Sequence, residues 1–319
     1  MGRQGNAAVW GSLVTLVVLT LPAFGQEVPP PAPPPFTFTP PRLDDPDEWA
    51  PDPDDPLAPP PPLSAQFDYT AMPGGNGRHA LALQEMELTT TAALPFFMAP
   101  MRISPRFAAR AFGGPQTRLD TGLADLPPEV YDLMLEFNWR PRLKEWLFLD
   151  LAIAPGIYSD FHEVNQSSYK WQGRALSIVA FSEKFQLVGG ALYTNRNTTK
   201  LLPAGGFLWS PNPDTCFEIV FPQPKVAYRI YHSSSLQLWT YVANEFGGGA
   251  WTIQRADGVG HSVDYRDWRL LLGLEWKTSE RLKGRVEVGY VHKRMLDYTS
   301  TTPDFKADPT VLLRAGVSY

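Results

Sequence analysis

The chain has a single cysteine, Cys216. That excludes a framework of intrachain disulfides and a cysteine-based metal cluster. Charged residues are scarce too, at 19% against a usual share of about 25%. The net charge of −5 comes with no basic run, which argues against a nucleic-acid partner. Beyond the first 25 residues no apolar stretch reaches the ~20 residues that a membrane-spanning helix needs. No later segment shows a convincing helical pattern either. A membrane role, if there is one, must use strands.

What is present divides into three parts. At the start, Arg3 precedes the apolar run "AVWGSLVTLVVLTL", and Ala23 and Gly25 are small residues just before Gln26. This is the order of a secretory signal peptide, so residues 1–25 are expected to be removed on export. The competing reading is an uncleaved anchor, for which the run is short. Residues 26–64 are a different material. The stretch 27–64 holds 16 of the 33 prolines and eight acidic residues against the single Arg42. Proline fixes φ and removes the backbone donor, so this part reads as an extended acidic spacer. It would serve as a tether, as an arm for a periplasmic partner, or as a leader with no specific role.

From about residue 65 to 319 the pattern has period two. In "VYDLMLEFNW" the residues Tyr131, Leu133, Leu135, Phe137 and Trp139 share one face, opposite Asp132, Met134, Glu136 and Asn138. A helix would scatter the first set, whereas a strand gathers it. "DWRLLLGLEW" sets Trp268, Leu270, Leu272, Leu274 and Trp276 against Arg269, Leu271, Gly273 and Glu275. Several runs last 10–14 residues, nearer the ~9–11 of a transmembrane strand than the ~5–6 of a globular one. Aromatics also flank the turns. Trp139 and Trp146 bracket "RPRLKE", Phe181 and Phe185 bracket "SEK", Trp209 precedes "SPNPDT" and Trp276 precedes "KTSERLKG". Rings at turns suit the membrane–water interface.

Strands are expected near 66–72, 79–92, 100–112, 129–140, 145–157, 172–182, 185–195, 201–210, 215–221, 225–231, 236–255, 263–276, 282–296 and 310–319. That makes fourteen, with short turns on one side and the longest loops on the other. The pair 215–221 and 225–231 is short for a bilayer. A count of twelve follows if "FPQPK" is a kink and 66–72 is not a strand.

The polar faces carry Asp132, Glu136, Asp150, Arg269, Glu275, Arg285, Glu287 and Arg314. A ring of one sign would select ions, whereas this mixture predicts internal ion pairs that fill or narrow a lumen. Candidates for chemistry are thin. "YHSSS" puts His232 beside Ser233, Ser234 and Ser235, and "GHSVD" groups His261, Ser262 and Asp264. Neighbours on a strand point to opposite faces, so neither string is a catalytic constellation. Asp160, His162 and Glu163 match no metal spacing. Cys216 reads as an inert thiol, and the "GGNG" of residues 74–77 as a loop.

The final run "TVLLRAGVSY" has apolar residues at Val311, Leu313, Ala315 and Val317 and ends on Tyr319. It resembles the assembly signal of bacterial outer-membrane β-barrels. That resemblance implies recognition of the last strand by the barrel-insertion machinery. "LLPAGGFLWSPNPDTCFEIVFPQPKVAYRIY" and "NEFGGGAW" resemble outer-membrane barrels grouped as a domain of unknown function. This resemblance implies a fold and a location but no substrate. The expectation is therefore an all-β, antiparallel up-and-down transmembrane β-barrel of 12–14 strands in the outer membrane. Its expected role is structural or that of a passive pore for small solutes, without enzymatic activity, cofactor or metal. The alternatives are a barrel-borne lipid-modifying enzyme and a secreted β-sandwich that binds a partner.

Overall fold

Alternating side chains give each run an apolar face and a polar face, and a sheet that closes on itself buries one of them. The computed structural model describes residues 63–75, 77–114, 126–196, 200–255, 258, 260–279, 281–299 and 304–319. The expected signal peptide and all of the spacer up to residue 62 lie outside these residues. The strands are β1 (Leu63–Met72), β2 (Ala82–Leu94), β3 (Met101–Gly113), β4 (Glu129–Trp139), β5 (Arg142–Lys144), β6 (Leu147–Ser159), β7 (Tyr169–Ser182) and β8 (Phe185–Tyr193). They continue as β9 (Leu201–Asn212), β10 (Thr215–Phe221), β11 (Lys225–His232), β12 (Leu236–Gln254), β13 (Gly260–Thr278), β14 (Lys283–Tyr298), β15 (Phe305–Ala307) and β16 (Thr310–Ser318).

Fourteen of them form one antiparallel ring, and β16 closes it by pairing with both β1 and β14. At the seam, Ala65 and Tyr319 exchange backbone hydrogen bonds of 2.9 Å in both directions. The two remaining strands, β5 and β15, are three-residue additions at the rim that periodicity did not reveal. Ring closure in one sheet excludes the two-sheet sandwich. The "FPQPK" segment is a turn between β10 and β11, so the count is fourteen and not twelve. The first strand begins at Leu63, two residues before the expected start of the barrel.

The face of β4 that carries Tyr131, Leu133 and Leu135 points outward. Leu133 is 50% exposed, whereas Val130 is fully buried and Asp132 nearly so. The same parity holds for Leu270 and Leu272 on β13, Val286 and Val288 on β14, and Leu313 and Val317 on β16, all exposed. A contiguous outward apolar surface of this size is the signature of a bilayer-facing barrel.

At one end, the turn end, the connections are short and carry the expected aromatics. Trp209 stacks on Phe217 with centroids 5.0 Å apart. Phe181 and Trp146 are largely exposed, and Trp139 donates its indole N–H to the Phe97 carbonyl at 2.9 Å. An amphipathic ring satisfied in this way suits the headgroup level. The opposite, loop end carries the longer connections. Its shortest link between ring strands, of three residues, is between β10 and β11, strands of only 7 and 8 residues. Their hairpin partner on one side, β12, runs for 19 residues. The wall is therefore low at β10–β11 and tall at β12–β13.

Because Leu272 faces outward at mid-strand, Leu272→Arg is expected to lower stability by about 2–4 kcal/mol. The loss would appear as a lower urea midpoint in liposomes, and Leu272→Val should leave the midpoint nearly unchanged.

Candidate functional site in the barrel lumen

Residues of inward parity meet inside the ring. All eight charged residues expected on polar faces lie on the inner side, and each of them makes an ion pair with a named partner. Arg110 of β3 contacts Asp132 at 2.5 Å and Glu85 of β2 at 2.6 Å. Glu85 is also 3.9 Å from Arg269 of β13, which holds Asp267 at 2.9 Å. Arg314 of β16 bridges Glu245 of β12 at 3.0 Å and Glu287 of β14 at 2.8 Å. Tyr241 donates to the other oxygen of Glu287 at 2.5 Å. Arg285 pairs with Asp68 at 2.8 Å, and Glu275 lies between Lys225 at 3.2 Å and Lys277 at 3.5 Å. Arg110, Asp132 and Glu287 are all nearly fully buried. Charges taken from water are tolerated when each has a partner of opposite sign, and the mixed signs provide that here.

The expectation of internal ion pairs is met, but several partners were not singled out from sequence. Arg110, Glu85, Asp68, Glu245 and Asp267 were not recognised, although each lies on the inward parity of its strand. Parity was the available signal. What it lacked was the pairing across the lumen.

Toward the loop end the interior changes character. Phe112, Trp251 and Tyr265 meet edge to face, with centroids 6.0 and 6.3 Å apart. Leu83, Val130, Tyr158, Ile253, Val263, Leu296 and Leu312 pack into the same buried cluster. Two of these residues, Trp251 and Ile253, come from the far end of β12. That strand pairs with β11 only as far as Ala243. Beyond this point it crosses the mouth and meets β6, where Thr252 pairs with Ser159. Five strands, β7 to β11, separate β12 from β6 in the ring.

The crossing begins at Gly247–Gly249. Gly248 has φ +100, and a side chain there would strike the Tyr265 carbonyl of β13. Arg196, from the loop after β8, donates to the carbonyls of Gly247 and Gly248 at 2.9 and 2.7 Å. At the tip, Trp251 donates its indole N–H to Asp132 at 2.6 Å. The guanidinium of Arg110 lies 5.2 Å from the Trp251 ring centre. Tyr265 connects the layers by donating to Asp267 at 2.8 Å and accepting from Arg294 at 2.9 Å.

The residues considered for chemistry fall elsewhere in this frame. Asp160 accepts from the backbone N–H of His162 and Glu163 at 3.0 and 3.2 Å and from Gln254 at 2.8 Å. It therefore fixes the end of β12 to the end of β6. His261 and Ser262 alternate across β13, and Ser233 organises the turn before β12 through Leu236. Cys216 faces inward near Glu218, with sulfur to oxygen 3.8 Å. Glycines 74, 75 and 77 lie in the loop between β1 and β2. On the outer wall, a groove of about 400 Å³ runs between ridges that include Pro105, Leu135, Pro155 and Trp171 on one side and Leu133 and Ile157 on the other.

With this geometry in hand, comparison with known proteins adds a family. The model of a domain of unknown function, DUF6268, matches residues 119–308, more than half of the chain. The chain belongs to this family. No curated protein matches it in sequence. Among solved structures it is similar to the KdgM porin, at 8% identity over 80% of this chain and 98% of that chain, with a TM-score of 0.36. It is also similar to an outer membrane channel from Pseudomonas putida F1, at 12% identity over 84% and 99% of the two chains, with a TM-score of 0.40. A third is LpxR from Salmonella typhimurium, at 9% identity over 80% and 99%, with a TM-score of 0.40.

Arg110 is the hub of the buried charges. Arg110→Met would leave Asp132 and Glu85 without their cation and is expected to cost about 3–5 kcal/mol. Urea unfolding in liposomes would show this, and the triple change Arg110→Met, Asp132→Asn and Glu85→Gln should recover much of the loss.

Proposed function

We propose that the protein is an outer-membrane channel for small solutes, shut in this conformation by the inward fold of the β12–β13 hairpin. The observation that carries this reading is the meeting of β12 with β6 across the mouth, with Trp251 bonded to Asp132. A barrel wall needs neither contact to stay closed as a sheet, since the ring is complete through β7–β11. The hairpin tip is held by side chains and a few backbone bonds, each worth about 0.5–3 kcal/mol. Such contacts can be exchanged for water without breaking the ring.

In this reading residues 1–25 direct export, the turn end faces the periplasm and the acidic spacer lies there, available to a periplasmic partner. The outward apolar face of β16 is the surface offered to the insertion machinery. The paired charges line and narrow the path of diffusion, and no side chain is assigned a catalytic step.

Planar-bilayer recording tests this. The unmodified protein should show low conductance or rare openings, and Trp251→Ala combined with Asp132→Ala should raise conductance or open probability several-fold. Heat-modifiable migration would show that the variant is folded. Silent membranes for both proteins at all voltages would make the barrel structural and end the channel reading.

A further inference from the structure

Near the turn end the inner wall carries a cationic cluster that the hairpin and the central ion pairs do not use. Arg102 of β3 shares a cross-strand row with Asn138 of β4, Ala152 of β6 and Arg174 of β7. Arg140 follows directly after β4. Three strand steps separate Arg102 from Arg174, about 14 Å along the wall. Only the small Ala152 and the amide of Asn138 stand between them in this row, and both arginines remain partly exposed.

The two carboxylates of the cluster are already engaged. Asp150 is 3.2 Å from Arg140 and 3.2 Å from Arg174, and it accepts from the Asn138 amide at 2.7 Å. Glu136 is 3.7 Å from Arg174. The charged groups facing Arg102 are Arg140, Asp150, Arg174 and Glu136. Arg102 itself makes no hydrogen bond or ion pair with another described residue. The Nε of Arg140 is buried without a hydrogen-bond partner, whereas the Nε of Arg174 is the atom that faces Asp150. Three guanidiniums against two carboxylates leave one positive charge in excess. Elsewhere in this lumen Arg110, Arg269, Arg285 and Arg314 each have a carboxylate within ion-pair distance.

We infer that this cluster is a capture site for a small oxyanion, a carboxylate or a phosphate, with Arg102 as the cation that meets it. A guanidinium presents a planar fork of donors that matches such an anion, and Arg140 has a donor to spare. Its part in transport rests on the channel reading and would make the conducted solutes anionic. The site itself does not depend on conduction.

The test is calorimetric titration of the full-length protein in detergent, at constant ionic strength, with inorganic phosphate and separately with acetate. Saturable binding of either anion is expected, and which one binds names the ligand chemistry. Arg102→Gln should weaken it by about tenfold or more. Arg102→Lys should weaken it less, because the charge stays and the fork is lost. Arg266→Gln, which removes the partner of Asp297 at the loop end, should leave binding unchanged. No saturable binding of either anion, or equal losses in Arg102→Gln and Arg266→Gln, would overturn the site. Binding by a protein that never conducts would keep the site and discard the channel.

Discussion

Hydrocarbon offers no hydrogen-bond partner to a peptide group, so every backbone N–H and C=O within the bilayer must be paired inside the protein. The pairing of β16 with both β1 and β14 meets that demand, since it leaves the fourteen-strand sheet without an edge. Other features follow from this closure. It decides that one parity of each strand faces lipid and the other faces the interior. It therefore decides which residues are free to be charged. Leu133 and Asp132 are neighbours in the chain, yet one is half exposed to the apolar surroundings and the other is buried against Arg110 and Trp251.

Once closure places charge inside, a second demand arises. A buried ion without a counter-ion is costly, and the interior answers with pairs that reach across the lumen, such as Arg269 with Glu85 and Arg314 with Glu245. These tie strands that are not neighbours in the sheet. The uneven wall adds a third consequence. Where β10 and β11 stop short, β12 has a backbone edge with no strand beside it. That edge finds its partners in Arg196, in Asp160 and in β6. The inward fold of the hairpin is thus one way of satisfying an exposed edge, and it brings β12 against β6 at the same time.

Much of the architecture was legible in the sequence. Period-two alternation located all fourteen ring strands, several within a residue or two, because the lipid-facing set must be apolar at every second position. The aromatic turns were legible for the same reason. The short strands β5 and β15 were not, since three residues carry no usable period. The lumen was legible only in part. Asp132, Glu287 and Arg314 stood out as charges on otherwise apolar strands, but nothing local says that Arg314 pairs with Glu245, 69 residues away. Nor does "NEFGGGAW" by itself announce a crossing, because three glycines are equally compatible with a straight strand.

The sequence by itself determined the class of fold, the approximate place of each ring strand and the side of the wall that its residues occupy, with the count left at twelve or fourteen. These depend on the alternation of side chains along a strand, which is a local property. Only the tertiary structure decided how many ring strands there are, which charges neutralise one another, where β12 leaves the wall, and that Arg102 has no partner among the described residues. Those depend on distances across a closed ring, and such distances come into existence only when the last strand meets the first.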